Sequence, residues 1–165
     1  MQTNKNVCWG LGTNRQLANN SIVTSKIPVV SSNTGAMSGK TVVKTSVGDN
    51  NACSITTDNS LVCWGMGANK QLGDNTTTDR EPIKINTGGP SEADKIPSAR
   101  TVTDVSVGAA HTCAIADGLI YCWGVNTSGQ LGLGMNSPSN PPTQIPSYVP
   151  VPGAVETTEP SYIAY

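Results

Sequence analysis

Four of the five cysteines fall into two pairs, each bracketing a short polar turn: Cys53 and Cys63 in "CSITTDNSLVC", Cys113 and Cys122 in "CAIADGLIYC". Sulfurs so placed can close a disulfide, stay as buried thiols or bind a metal. Zinc is disfavoured, because no Cys-x-x-Cys occurs and His111 is the only histidine. Acid–base work by His111 would need a positioned partner, and the sequence nominates none; a structural histidine is the expectation. Gly-x-Gly at 10–12 and 65–67 could suggest a phosphate loop. No helical pattern follows it, however, the third glycine is missing, and the corresponding stretch at 124–126 reads Gly-Val-Asn. Without a carboxylate pair, a triad or a metal cluster, no catalytic residue and no cofactor are assigned, and an enzyme is not expected. Oxidation of the paired sulfurs is the chemistry left.

The composition agrees with a binding or structural role. Charged residues are 13% of the 165 and balance to −1, with no basic run to meet a nucleic-acid backbone or an acidic membrane surface. No stretch of about 20 apolar residues exists, so no helix is expected to span a membrane. The opening "MQTNKNVCWG" has no apolar h-region and does not read as a signal peptide. Phenylalanine is absent, so a core must come from Val, Ile, Leu, Ala and three tryptophans.

Those tryptophans reveal the organisation. Cys-Trp-Gly recurs at 8–10, 63–65 and 122–124, followed each time by a related turn: "CWGLGTNRQLA", "CWGMGANKQLG", "CWGVNTSGQLG". The second and third copies also match upstream, and a proline-led apolar run trails every copy ("IPVV", "EPIKI", "PPTQI"). A chain with this self-similarity is a repeat protein.

Each unit reads as β. "TVTDVSVG" alternates Val inward with polar residues outward, the period of a half-buried strand. "HTCAIA" and "LIYCW" flank Asp117-Gly118, a strong hairpin sequence. With those two residues as the loop, Cys113 faces Cys122 on a non-hydrogen-bonded rung, where Cα atoms approach to about 4.5 Å. That is at the lower end of what a disulfide spans. A three-residue loop, Thr57-Asp58-Asn59, places Cys53 opposite Cys63 in the same way. Both pairs are expected to be disulfides, the alternative being buried thiols. Four short strands per unit is the format of a propeller blade.

The third copy, Val107 to Gly132, runs Ser-Val-Gly, His-Thr-Cys-Ala, Asp-Gly, Tyr-Cys-Trp-Gly-x-Asn-x-x-Gly-Gln-Leu-Gly. It resembles the regulator of chromosome condensation repeat family, especially its secreted, disulfide-bearing bacterial members. The second copy follows with Asn51 in the His place. The first follows only from Val7 to Leu17, with Ala18 where Gly is expected. The resemblance implies an all-β fold, here a partial β-propeller of four-stranded antiparallel blades incomplete at both ends. Residues 1–40 would hold the last two strands of a blade plus a linker, 41–100 a complete blade plus a linker, and 101–146 a complete blade. The Pro-rich tail at 147–165 would be a linker or the first strand of a next blade.

Stacked units bury their faces only against neighbours. The expected partners are therefore proteins: further blades of a longer chain, or other copies of this one. Cys8 lacks its cross-strand partner and is expected to be unpaired or bridged to another segment. Trp9, Trp64 and Trp123 are expected to pack between blades, each N–H finding a partner, rather than to stack on a ligand. Gln16, Gln71 and Gln130 recur in the turn and are expected to bond backbone there. Asn19, Asn75 and Asn126 begin sequons in a loop the repeat places at the surface, where a glycosylating host would modify them. Disulfides imply an extracellular or cell-surface setting. The leading expectation is a non-enzymatic extracellular repeat segment acting as a structural or protein-interaction module. The resemblance leaves two others, a secreted binder or inhibitor of one protein target and an exchange factor for a Ran-type GTPase.

Overall fold

The computed structural model describes residues 5–32, 34–85, 87 and 95–145. The tail expected over 147–165 lies outside them. The described residues form three antiparallel sheets arranged in chain order. The first pairs β1 (Val7–Gly10) with β2 (Ser25–Val30). A single 3₁₀ turn, Gly35–Met37, leads on to the second sheet. That sheet holds β3 (Val42–Val47), β4 (Asn51–Thr56), β5 (Leu61–Gly65) and β6 (Arg80–Lys84) in sequential order. The third repeats this with β7 (Val102–Val107), β8 (His111–Ala116), β9 (Leu119–Asn126) and β10 (Ser137–Gln144). These are the four-stranded blades of a partial β-propeller.

Turn chemistry sets the registers. Asp117 (φ 49°) and Gly118 (φ 76°) occupy the two left-handed positions between β8 and β9, as a type I′ hairpin requires. Ala116 therefore faces Leu119, and Cys113 faces Cys122. Between β4 and β5 the longer loop places Asn59 at φ 59°, a conformation asparagine tolerates, and Cys53 faces Cys63. Asp58 holds that loop, accepting from the Thr56 hydroxyl at 2.6 Å, the Ser60 amide at 3.3 Å and the Lys40 ammonium at 2.6 Å.

The middle blade is buried on both faces, since every residue of β4 and β5 is covered. Cys53, Ile55, Leu61 and Cys63 face the third blade and join Val102, Val105, Ala114 and Trp123 in the main core. Ala52 and Trp64 face the first blade and pack with Ala18. Alternation along β7 is less regular than its sequence implies. A register shift between Val102 and Asp104 makes the buried valines 102, 105 and 107. In β3, Val47 takes the place of Val107 yet is 68% exposed. The sheet beside it contributes only β1 and β2 among the described residues, so no inner strand covers it.

Candidate interaction faces

The joint between blades is built twice from the same parts. Trp64 and Trp123 are both fully buried. Trp64 donates its indole Nε1–H to the backbone carbonyl of Gln16 at 3.0 Å, and Trp123 donates to that of Gln71 at 2.9 Å. Each tryptophan thus leans on the turn of the blade before it. The glutamine side chains organise those turns: Oε1 of Gln16, Gln71 and Gln130 accepts from the amides of Asn14, Asn69 and Ser128 at 2.7, 2.7 and 2.9 Å. Holding the turn this way aims the glutamine's own carbonyl at the next indole. At the second joint the Thr112 hydroxyl donates to the same Gln71 carbonyl at 2.9 Å.

Small residues let the indole sit flat on the turn. Gly73 has φ +81°, and a Cβ there would meet the Trp123 Nε1 at 2.8 Å. In the first turn Ala18 stands in that place with φ 53°, its methyl packed against Trp64. Polar contacts flank the first joint. Asn14 donates to Asp79 at 2.8 Å, and Arg15 pairs with Glu81 at 3.0 Å. Nearer the inner edge, the Val107 amide donates to the Ser46 hydroxyl at 3.0 Å, and Lys44 pairs with Asp104.

Close backbone approach within a blade constrains a second glycine. A Cβ at Gly67 would fall on the Thr78 carbonyl oxygen. Gly67→Ala is therefore expected to cost about 1–3 kcal/mol, as overpacking does, read as a drop in urea midpoint. The third blade has Asn126 in that place. Its amide donates to the Met135 carbonyl at 2.7 Å, and its oxygen accepts from the Leu131 amide at 3.0 Å.

That contact corrects one sequence expectation. Asn126 is fully buried with its amide engaged, so it is not a glycan acceptor in the folded chain. Asn75 is exposed and Asn19 half-buried. Trp9 departs from its two counterparts as well: it is 65% exposed rather than packed between blades. Nothing among the described residues stands to Trp9 as Gln16–Ala18 stand to Trp64.

Disulfides join Cys53 to Cys63 and Cys113 to Cys122, each with Cα atoms 4.1 Å apart. Cys8 is a free, half-buried thiol, and burial pushes it above its ordinary range. Among the described residues, no three His, Cys, Asp or Glu gather to hold a metal, and no helix is long and apolar enough to cross a membrane.

Two titrating groups report on the fold. Burial lowers His111, which lies over Gly108 at the start of β8. For Asp58, partial burial acts upward, but bonds from Lys40, Thr56 and Ser60 outweigh it and hold the carboxyl well below the usual range. In both cases the unfolded chain binds the proton more readily, so stability rises with pH across each window. Lowering the pH should weaken the fold first below about 6.5 and again below about 4. Urea midpoints measured against pH should lose the first step in His111→Gln and the second in Asp58→Asn.

Comparison with known proteins places this architecture. The regulator of chromosome condensation (RCC1) repeat profile matches residues 58–115 and 117–155, and a second profile of the same description matches 42–71 and 102–130. The human E3 ubiquitin-protein ligase HERC2 is 31% identical over 130 residues, covering 76% of this chain and 2% of the ligase. The Arabidopsis thaliana ultraviolet-B receptor UVR8 is 28% identical over 109 residues, covering 65% of this chain and 23% of the receptor. Among solved structures, human WBSCR16 superposes with a TM-score of 0.68 at 18% identity, over 88% of this chain and 34% of its own. Saccharomyces cerevisiae Prp20p gives 0.67 at 21%, over 87% and 34%. The chain therefore spans a small part of these sequence relatives and about a third of the solved ones, and the structural likeness speaks for the fold. With the Cys-Trp-Gly turn, the blade sheets and the profile matches in agreement, the chain belongs to the regulator of chromosome condensation (RCC1) repeat family.

Proposed function

We propose that this chain is a non-enzymatic β-propeller segment that acts as a structural and protein-interaction module. Its end faces would be completed by further blades or by copies of itself. One observation carries the reading: among the described residues, the joint that welds neighbouring blades is left as an unmatched half at each edge of the fold. Trp9, 65% exposed, is a tryptophan without its turn, and the Gln130–Gly132 turn carries no tryptophan among the described residues. Exposed apolar residues gather at the Trp9 end, with Val7, Leu11, Ile27 and Val30 each at least half or nearly half exposed. Contiguous surface of this kind marks protein contacts.

The two disulfides support an oxidising setting, extracellular or at the cell surface. They weigh against an exchange factor working in a reducing nucleus. An inhibitor of one protein target would use the same faces or the blade loops, and no observation here favours it over a structural module. The test is cross-linking in the native source, with sites mapped onto the chain. The reading expects cross-links to polypeptide at the two end faces. A folded chain that gives none there, while turning over a small-molecule substrate, overturns it.

A further inference from the structure

We propose that the joint between the first and second blades carries a polar key, the side chains of Asn6, Thr45 and Ser54, that selects which hairpin edge the second blade accepts. This goes beyond the interaction-module reading and does not depend on it. The two described joints can be compared position by position. The Ser31 amide donates to the Asn6 carbonyl at 2.9 Å, as the Ile85 amide donates to that of Leu61 at 2.8 Å. Asn6 and Ser31 on the first blade thus stand where Leu61 and Ile85 stand on the second. On the receiving side Thr45 pairs with Ser54 as Val105 pairs with Ala114. At the second joint these four positions are apolar, at most 3% exposed and part of the main core. At the first all four are polar, so the change is made on both sides of the joint.

The three side chains close a ring across the joint. Asn6 Nδ2 donates to Ser54 Oγ at 2.9 Å, Thr45 Oγ1 donates to Asn6 Oδ1 at 2.7 Å, and the two hydroxyl oxygens lie 2.7 Å apart. Because the Thr45 proton is committed to Asn6, the Ser54 hydroxyl supplies the third bond, and each group donates once and accepts once. Ser54 is fully buried, Asn6 is half-buried, and Thr45 closes the ring on the exposed side.

Such a ring discriminates where the tryptophan bond does not. Trp64 and Trp123 donate alike to the backbone carbonyls of Gln16 and Gln71, so that bond fits either joint. A leucine edge against Thr45 and Ser54 would offer neither the donor nor the acceptor that the ring uses. An asparagine edge against Val105 and Ala114 would carry its amide into an apolar core without a partner. Losing one member of a buried hydrogen-bonded set costs the desolvation of those left, whereas exchanging every member for an apolar group of similar shape is nearly neutral. Polar groups at a single packed position fix register in this way. Blades sharing one backbone plan are a setting in which hairpins can otherwise seat in the wrong place.

Deuterium exchange of the indole protons in the full chain, followed by nuclear magnetic resonance, tests the key. The Trp64 Nε1–H is held across the first joint and the Trp123 Nε1–H across the second, so each reports the opening of its own joint. Asn6→Leu and the pair Thr45→Val/Ser54→Ala should each speed Trp64 exchange about 5-fold and leave Trp123 unchanged. Combining all three installs the residue types of the second joint. That variant should bring Trp64 to within about 2-fold of wild type, because changes within one network do not add. Protection of Trp123 shows that the second and third blades stay folded in every variant. Should Asn6→Leu free the Trp64 proton too fast to measure, the smaller Asn6→Val repeats the cycle. Exchange in the triple variant slower than the product of its two halves supports the key. A triple variant as fast as that product, or a half-change that by itself slows exchange, overturns it.

Discussion

Trp64→Ala should destabilise the fold by about 3–5 kcal/mol, the range for truncating a fully buried tryptophan, whereas Trp9→Ala in the monomer should stay within about 0.5 kcal/mol. The two residues have the same sequence surroundings, so propensity and strand chemistry cancel in the comparison. What differs is cover. Trp64 is buried against Ala52 and Ala18 and donates to the Gln16 carbonyl, while Trp9 is 65% exposed. Removing Trp64 opens a cavity between two blades and breaks the bond that ties them. Trp123→Phe removes the bond and a smaller share of the packing than alanine would. The Gln71 carbonyl would still hold the Thr112 hydroxyl, so the cost should be smaller than that of alanine, about 1–3 kcal/mol. Urea unfolding followed by far-ultraviolet dichroism measures all three. Equal losses at Trp9 and Trp64 would show that the tryptophan serves its own hairpin and not the joint.

Removing the Cys53–Cys63 bridge should cost more than removing Cys113–Cys122. Both close loops of nearly equal length, with sequence separations of 10 and 9. Loop entropy alone therefore assigns each about 2–3 kcal/mol. The surroundings separate them. Cys53 and Cys63 are fully buried in the core between the second and third blades. The Cys53→Ala/Cys63→Ala variant consequently leaves a cavity as well as a freer unfolded chain, for a total of about 3–5 kcal/mol. Cys113 and Cys122 line the face of the third blade that no described blade covers, where Cys122 is buried but Cys113 only half-buried. Their double alanine variant should lose the entropy and little else. A mild thiol should also reduce Cys113–Cys122 in the folded protein and reach Cys53–Cys63 only on unfolding. Peptide mapping after timed reduction tests that order, and equal rates would overturn it.

How much could be read from the chain follows from the distance over which each decision is made. The disulfide registers depend on loops of two and three residues and on the period of a strand, all within 10 residues. Asp117-Gly118 and Asn59 carry that information locally. The role of the Gln side chains was equally legible, because each bonds an amide two residues away. The acceptor for the indole was not. It is a backbone carbonyl 48 or 52 residues upstream, and a carbonyl has no residue type to recognise. Asn126 misled for a related reason. Its sequon is a local string, but its burial is decided by the loop that returns at Met135.

Sequence alone determined the repeat, the blade format and which cysteines face one another, because hairpins are assembled from neighbours along the chain. Tertiary structure alone decided which of three identical Cys-Trp-Gly strands is core and which is surface. Burial is a property of the blade standing opposite, and the same residues change role when that neighbour is absent from the described fold.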